Sequence, residues 1–309
     1  GTYIEAVYIN KGIALVGVGS NSTTITATGL GFTNTVTFSG IATNNASISG
    51  FRITGAIGDE ESLIGLGIYC TNGSPTITNN TISGNYCGIG FDSSSPIIFN
   101  NTIIGNGGYG IISYNFSFPT INHNTITGNG YGICCSYYSS PSITNNTISR
   151  NDDGIFCEDF SSPTITNNTI SNNGYGIYCE NSSSPTITNN IITENGTTST
   201  DYYGIYNTND GDTPIIDYNC VWRNGSGGNN NYYGCSGGLG SISADPQFIG
   251  GGNFHLGSSS PCIDKGSNTA PGIPLTDKDG NPRIINGIVD IRAYEFQGTP
   301  TIPTLTITT

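Results

Sequence analysis

A repeat of about 22 residues runs through the middle of the sequence and restricts the folds open to it. This period is too short for a propeller blade, and the repeats contain too little leucine for a leucine-rich repeat. It suits one coil of a parallel β-solenoid, in which each coil packs only on its neighbours. The repeating segments are SPTITNNTISGN, SPIIFNNTIIGN, FPTINHNTITGN, SPSITNNTISRN, SPTITNNTISNN and SPTITNNIITEN.

Three columns of isoleucine predict three short strands in each coil. Two isoleucines five positions apart recur in every repeat, as in Ile77 and Ile82, and a third follows near the end of the repeat, as in Ile89. Equivalent residues of adjacent coils would lie about 4.8 Å apart, the spacing of paired strands. We therefore expect an all-β solenoid with a continuous core of stacked isoleucines.

A pair of asparagines separates the first two isoleucine columns and predicts a tight corner. Asn tolerates left-handed backbone and bonds its own backbone. Stacked Asn side chains can also form a ladder of amide hydrogen bonds. The pairs are Asn79/Asn80, Asn100/Asn101, Asn145/Asn146, Asn167/Asn168 and Asn189/Asn190, with His123/Asn124 as a variant.

The repeats resemble right-handed parallel β-helix proteins of the pectate-lyase superfold, particularly the NosD-like and carbohydrate-binding/sugar-hydrolase repeat group. Residues 1–25 (GTYIEAVYINKGIALVGVGSNSTTI) resemble the first coils of such proteins, and residues 245–296 (DPQFIGG to IRAYEF) resemble their closing segment. The resemblance implies a right-handed, single-stranded parallel β-helix. It says little about function, because this superfold hosts lyases, hydrolases, epimerases, adhesins and inert stalks.

The resemblance also suggests a division of the chain. The expected parts are a parallel β-helix at 1–244 with regular repeats at about 41–222, a C-terminal closing or capping segment at 245–297, and a Pro/Thr-rich tail or linker at 298–309.

Charge and histidine content exclude several classes of function. The chain has 21 Asp plus Glu against 8 Lys plus Arg, a net charge of −13, and no basic run, so nucleic acid is not an expected partner. No stretch approaches 18 consecutive apolar residues, so no membrane span is expected. His123 and His255 are too few for a histidine-ligated zinc site, and any metal would have oxygen ligands.

Two outward glutamates form the first candidate site. Strand alternation directs Phe156 and Glu158 outward, and one coil later Tyr178 and Glu180. The two carboxylates would lie about one interstrand spacing apart, which suits calcium and is near the separation in retaining glycosidases. The two rings could stack on a sugar. The alternative is that these are ordinary exposed side chains.

The cations of the chain argue against catalysis at these glutamates. Lyase chemistry needs a cation near the acids, yet no lysine lies between Lys11 and Lys265. We expect Arg52, Arg150 and Arg223 to stand in no common column. Enzymatic activity stays open and is not favoured; an enzyme of this kind would be a polysaccharide lyase or glycoside hydrolase. No cofactor is expected, with calcium as the open alternative.

Nine cysteines need separate assignments. Cys135, Cys157 and Cys179 fall in one inward column and are expected to fill the core as small apolar side chains. Cys220 and Cys235 flank a Gly/Asn-rich loop and are the best candidate disulfide. Cys262 stands where chains resembling this one generally carry a small apolar residue.

Threonine arrays and glycosylation sequons give two minor predictions. The paired outward residues beside the first isoleucine column resemble the Thr-x-Thr faces of β-helical ice-binding proteins, although threonine is simply favoured in strands. If the source glycosylates asparagine, sequons would carry glycans. The array comprises Thr76/Thr78, Thr120/Asn122, Ser142/Thr144, Thr164/Thr166 and Thr186/Thr188, and the sequons of interest are Asn79, Asn100, Asn145 and Asn167.

Two functions remain from the sequence. The first is an extracellular or cell-surface, non-enzymatic module that acts as a stalk or filament, with the tail TLTITT (304–309) or the closing segment covering an incomplete first coil of the next subunit. The second is a polysaccharide-binding or polysaccharide-active protein that uses the outer face around the two glutamates. Ice binding is a minor alternative.

Overall fold

The computed structural model describes residues 1–59, 64–197 and 201–298. The TLTITT segment on which tail exchange was predicted lies outside these residues.

Short strands, most of three to six residues, make up nearly all of the regular structure. The described residues also include one 3₁₀ helix, Ile41–Asn45. The strands are β1 (Thr2–Ile4), β2 (Val7–Ile9), β3 (Ala14–Val16), β4 (Thr24–Thr26), β5 (Val36–Ser39), β6 (Ser47–Ser49), β7 (Arg52–Thr54), β8 (Leu66–Thr71), β9 (Thr76–Thr78), β10 (Thr81–Ser83), β11 (Cys87–Asp92), β12 (Ile97–Phe99), β13 (Thr102–Ile104), β14 (Tyr109–Tyr114), β15 (Thr120–Asn122), β16 (Thr125–Thr127), β17 (Tyr131–Cys135), β18 (Ser142–Thr144), β19 (Thr147–Ser149), β20 (Asp153–Cys157), β21 (Thr164–Thr166), β22 (Thr169–Ser171), β23 (Tyr175–Cys179), β24 (Thr186–Thr188), β25 (Ile191–Thr193), β26 (Ile205–Asn207), β27 (Ile215–Asp217), β28 (Cys220–Trp222), β29 (Tyr232–Tyr233), β30 (Phe248–Gly250), β31 (Asn253–Leu256), β32 (Ile284–Ile285) and β33 (Ile288–Val289).

Three parallel sheets run the length of the solenoid. Sheet 1 has ten strands in the order β1-β4-β7-β10-β13-β16-β19-β22-β25-β28. Sheet 2 also has ten, in the order β2-β5-β8-β11-β14-β17-β20-β23-β26-β29, and sheet 3 has nine, in the order β3-β6-β9-β12-β15-β18-β21-β24-β27. Each coil gives one strand to each sheet, which confirms the predicted right-handed parallel β-helix.

The predicted isoleucine columns are the core. In sheet 1, Ile148 pairs in register with Ile126 and Ile170, and in sheet 3 Ile143 pairs with Ile121. All five side chains are fully buried. The three columns meet in one apolar cluster along the solenoid axis. The inward Cys135, Cys157 and Cys179 belong to this cluster, as predicted.

Ladders of polar side chains line the three corners. At the corner between sheets 3 and 1, the first Asn of each pair has left-handed backbone, as at Asn145 (φ 54°), and the second is buried. The Asn146 amide nitrogen donates to Asn168 Oδ1 at 3.1 Å, which confirms the predicted amide ladder. The sequence analysis missed a second Asn ladder between sheets 1 and 2 and a serine ladder between sheets 2 and 3, seen in Asn151 and Ser139.

The C-terminal segment lies along the side of the solenoid and contacts several coils. The backbone amide of Ser267 donates to Asn189 Oδ1 at 2.8 Å, and the amide nitrogen of Asn167 donates to Arg292 O at 3.0 Å. Two coils earlier, Lys278 Nζ donates to His123 O at 2.8 Å. The segment therefore covers the corner between sheets 3 and 1 over consecutive coils.

A group of charged side chains fixes the fold of this segment. Arg283 Nη1 lies 3.4 Å from Glu295 Oε2, and Arg292 lies 3.6 Å from Asp290, with all four side chains almost fully buried. Asp277 accepts hydrogen bonds from two backbone amides of its own turn, which is formed by the DKDG sequence.

Candidate functional site

A groove runs along the outer face of sheet 1, beside its corner with sheet 2. It encloses about 810 Å³. Its floor includes Thr127, Ser149 and Thr193. These residues lie on β16, β19 and β25 of sheet 1. The hairpin β30–β31 and Tyr294 form the opposite wall. The lining residues come from five consecutive coils, so the groove extends over about 19 Å at about 4.8 Å per coil.

Four side chains in left-handed backbone form the wall on the corner side. Each follows a strand of sheet 1 directly, at Arg150 (φ 57°), Asn172 (φ 58°), Glu194 (φ 57°) and Arg223 (φ 52°). Four earlier coils carry glycine at the equivalent position, the last of them, Gly128, in the first coil of the groove, and a Cβ at Gly105 would meet nothing within 4 Å. Those glycines therefore relieve backbone strain, whereas the four later groove coils keep polar side chains in spite of it.

The charges of this wall are of both signs. Arg223 Nη1 lies 3.6 Å from Glu194 Oε1, and the Arg223 guanidinium lies 5.8 Å from the centre of the Trp222 ring. Arg150 lines the same groove. It follows β19, the fourth strand of sheet 1 counted back from β28. An aromatic ring, hydroxyl groups and charged groups thus converge on one open groove, an arrangement suited to an extended polyhydroxylated ligand.

This wall corrects the expectation that the arginines share no column. Arg150 and Arg223 occupy equivalent corner positions, two residues after the inward Ile148 and Val221. The repeats did indicate this column. The residue just before the Asn of the second ladder changes from Gly in the earlier repeats to Arg, Asn and Glu in the later ones. The column went unrecognised because only the apolar and Asn columns were aligned.

The predicted patch at Phe156 and Tyr178 lies on the outer face of sheet 2. Phe156 stacks between Tyr131 and Tyr178, with ring centroids 5.6 Å and 5.1 Å apart. The row continues to Tyr206, whose ring centroid is 4.9 Å from that of Tyr178. A neighbouring ring covers each face of the Phe156 ring, so only the ring edge is directed to solvent. A ring edge is a poor surface for stacking a sugar.

Glu158 and Glu180 stand on adjacent coils beside this row, as predicted. Cys134 Sγ lies 3.9 Å from Glu158 Oε1, and Tyr178 donates to Glu180 Oε2 at 2.8 Å. Burial raises the pKa of Glu158, with a smaller contribution from the negative charge of Glu180. Among the described residues, no group of three His, Cys, Asp or Glu side chains is placed to hold a metal ion. Calcium binding by this pair remains a prediction.

The C-terminal segment covers part of the predicted threonine array. Thr166 is fully buried and donates to Pro271 O at 2.7 Å, and Thr144 and Thr188 are also buried. The array therefore presents no continuous surface to ice. The same segment covers the side chains of Asn145 and Asn167, which are buried, whereas Asn79 and Asn100 are exposed, so glycosylation remains a prediction that exposure favours at the latter two.

The predicted disulfide between Cys220 and Cys235 is not formed in this structure, where both thiols are free, and the pairing stays a prediction. The two side chains lie on different sides of the coil. Cys220 points outward into an apolar cluster beneath the C-terminal segment, whereas Cys235 packs against the inner core. Burial raises the pKa of Cys235 to about 12.

Several solved structures are similar to this chain in fold. XylC in complex with xylose is 16% identical, with a TM-score of 0.42, and the match covers 58% of this chain and 37% of XylC. For the Dettilon tailspike protein the values are 16% identity, TM-score 0.49, and 81% and 56% coverage. For pectate lyase Pel9A they are 13%, 0.47, 94% and 87%. This chain thus spans less than two thirds of XylC and of the tailspike, and the likeness concerns the fold alone.

No curated protein matches the chain. Within the described ranges, no helix is long and apolar enough to cross a membrane. The family model described as "Right handed beta helix region" matches residues 66–221, about half of the sequence and the coils that form the regular core. Together with the three stacked parallel sheets, this match shows that the chain belongs to the right-handed β-helix family.

Proposed function

We propose that this protein binds a polysaccharide chain in the groove on the outer face of sheet 1. The observation that carries the proposal is the corner column of Arg150, Asn172, Glu194 and Arg223, which keeps polar side chains in left-handed backbone where earlier coils have glycine. Strained backbone of this kind costs about 1–3 kcal/mol per residue and concentrates at functional sites.

The shape of the groove favours a long ligand. It is open, spans several coils and follows the solenoid axis, so successive sugar units would meet equivalent positions on successive coils. The half-buried hydroxyl of Thr127 on the floor can donate to and accept from sugar hydroxyls, whereas Thr193 is buried and donates its own to Trp222 O at 2.8 Å. The partly buried Trp222 offers an apolar surface at one end.

The protein is proposed to act outside the cell or at its surface, where such polymers occur. The net charge of −13 excludes broad attraction to polyanions, so recognition of an acidic sugar would rest on the local charges of Arg150 and Arg223. We propose binding as the function, with cleavage as a separate property that product analysis would detect.

Affinity electrophoresis in gels that contain neutral or acidic polysaccharides tests the proposal. The wild-type protein is expected to be retarded by at least one polymer, and a double variant Arg150→Gly/Trp222→Ala to lose at least about tenfold in affinity, since central aromatic and arginine contacts dominate binding. Arg52→Ala is the matched control, because Arg52 is exposed on the same sheet several coils away.

Retardation of the double variant equal to that of wild type would contradict the assignment of the groove. Loss of retardation in the Glu158→Gln/Glu180→Gln variant alone would move the site to sheet 2. Incubation of the retained polymer with the protein, followed by measurement of reducing ends and of unsaturated products, distinguishes binding from glycoside hydrolase or lyase activity.

A further inference from the structure

Two cysteines lie where the C-terminal segment meets the solenoid. Cys220 begins β28 and points outward from sheet 1, and Cys262 belongs to the segment that carries the hairpin wall of the groove. Both side chains are fully buried. They share one apolar cluster with Ile191 of the solenoid and with Leu256 and Ile291 of the segment.

The two thiols face each other and are held from both sides. Cys220 Sγ lies 3.2 Å from Ala244 O. The backbone of Cys262 is fixed by hydrogen bonds to Ser260 Oγ at 3.2 Å and from the amide of Ile291 at 3.1 Å. Contact with the Cys220 thiol, together with burial, raises the pKa of Cys262. The two thiols are therefore in contact within one buried cluster.

We propose that Cys220 and Cys262 are a disulfide-forming pair that fastens the C-terminal segment, and with it the hairpin wall of the groove, to the solenoid. The proposal does not depend on the nature of the groove ligand. It assigns a covalent link to a contact that is otherwise made by apolar packing and by hydrogen bonds such as that between Ser267 and Asn189.

A small-molecule disulfide, such as oxidised glutathione, serves as the oxidant. One cysteine thiolate attacks the glutathione disulfide and releases one reduced glutathione, and the other cysteine thiolate then attacks the mixed disulfide and releases a second. Both cysteine protons pass to solvent or to the released thiolates, and two electrons pass to glutathione. Because both thiols are fully buried in the folded chain, and so out of reach of the oxidant, the bond forms during folding or transient undocking of the segment.

Other thiols of the chain are less suited to this role. Cys135, Cys157 and Cys179 occupy adjacent in-register positions of parallel strands, an arrangement unlike that of ordinary disulfides. Cys235 packs against the inner core, on the opposite side of the coil from Cys220. A disulfide between two of these inward cysteines would also link only strands that are already hydrogen-bonded to each other.

The test is to unfold the full chain under reducing conditions and refold it in a mixture of reduced and oxidised glutathione. The product is then denatured, its remaining thiols are blocked with a maleimide at mildly acidic pH, and peptic peptides are mapped by mass spectrometry. The expected product contains a Cys220–Cys262 link and a Cys235 that carries the maleimide. Cys262→Ser should lose the link and Cys235→Ser should retain it.

The proposal is overturned if Cys220 and Cys262 both carry maleimide after oxidation, or if Cys220 is linked to another cysteine. Protein that was never unfolded is incubated with oxidised glutathione and mapped in the same way, so poor refolding does not decide the outcome. Thermal melting gives an independent readout: reduction should lower the Tm of oxidised wild type and of Cys235→Ser, and leave that of Cys262→Ser unchanged.

Discussion

Removing one rung of the buried asparagine ladder should destabilise the solenoid far more than removing the exposed asparagine next to it. Asn101 Oδ1 accepts from the backbone amide of Asn80 at 3.0 Å and from its side-chain amide at 3.2 Å. The Asn101 amide nitrogen donates to Ile77 O at 2.9 Å and to Asn124 Oδ1 at 3.1 Å. One side chain therefore connects three successive coils.

The magnitude follows from the groups left without a partner. In Asn101→Ala the buried backbone N–H of Asn80 loses its acceptor, which costs about 1–3 kcal/mol, and the two lost amide–amide hydrogen bonds add about 1 kcal/mol each. We therefore expect the free energy of unfolding to fall by about 4 kcal/mol. Urea denaturation followed by far-UV circular dichroism measures this change, with the first transition compared if unfolding occurs in steps.

Asn100→Gly is the matched control. Asn100 is exposed, its φ of 53° suits glycine, and its side chain donates only to the exposed Asn79 at 2.8 Å. Its free energy of unfolding should stay within about 0.5 kcal/mol of wild type. If Asn101→Ala is as stable as Asn100→Gly, the ladder contributes little to stability and the reasoning is refuted.

Four further predictions concern other parts of the chain. Burial lowers the pKa of Lys278 to about 7 from 10.5, so the unfolded chain binds more protons between these values. The free energy of unfolding of wild type relative to Lys278→Met should therefore rise from pH 7 to pH 10, by at most about 1.4 kcal/mol per pH unit, and a flat difference in urea titrations would contradict this. Arg150→Gly should raise the free energy of unfolding by about 0.5–1 kcal/mol while weakening polysaccharide binding, and a lower Tm would argue against backbone strain at this corner. If the sheet 2 carboxylates bind calcium, Glu158→Gln/Glu180→Gln should abolish the heat of calcium binding seen by calorimetry in wild type, and the absence of such heat in wild type ends the prediction. End-to-end self-association predicts that light scattering gives a mass that rises with concentration and that deletion of residues 299–309 abolishes this rise; a constant monomer mass for the full chain is the contrary result.

The regular coils were predictable because their information is local and repeated. Each inward isoleucine, such as Ile148, has the same neighbours in the coils above and below, so one alignment of the repeats fixes both the strand and the core. The Asn pair was equally informative, since left-handed backbone at Asn145 and burial at Asn146 follow from the same two-residue corner. The second Asn ladder was missed because its Asn follows a variable corner position.

The placement of the C-terminal segment could not be read from sequence in the same way. Its contacts join residues more than a hundred positions apart, as between Thr166 and Pro271, and no periodic pattern links them. For this reason the sequence did not show that Asn145, Asn167 and part of the threonine array are covered, or that Cys220 shares a cluster with Cys262. Strand alternation predicted that Phe156 points outward, but the stacking of its ring faces against adjacent coils depends on side-chain rotamers.

The groove lies where the chain departs from its own repeat. The corner between sheets 1 and 2 would be least strained with glycine in every coil, and Gly84, Gly105 and Gly128 show that the repeat can supply it. From Arg150 onward the corner carries polar side chains, in the coils that also face the hairpin wall. Packing alone does not account for this change, because a Cβ at the equivalent Gly105 would meet nothing within 4 Å. Retention of strained polar residues opposite a second wall is what a binding function would require, and it is the reason for assigning ligand contact to this corner.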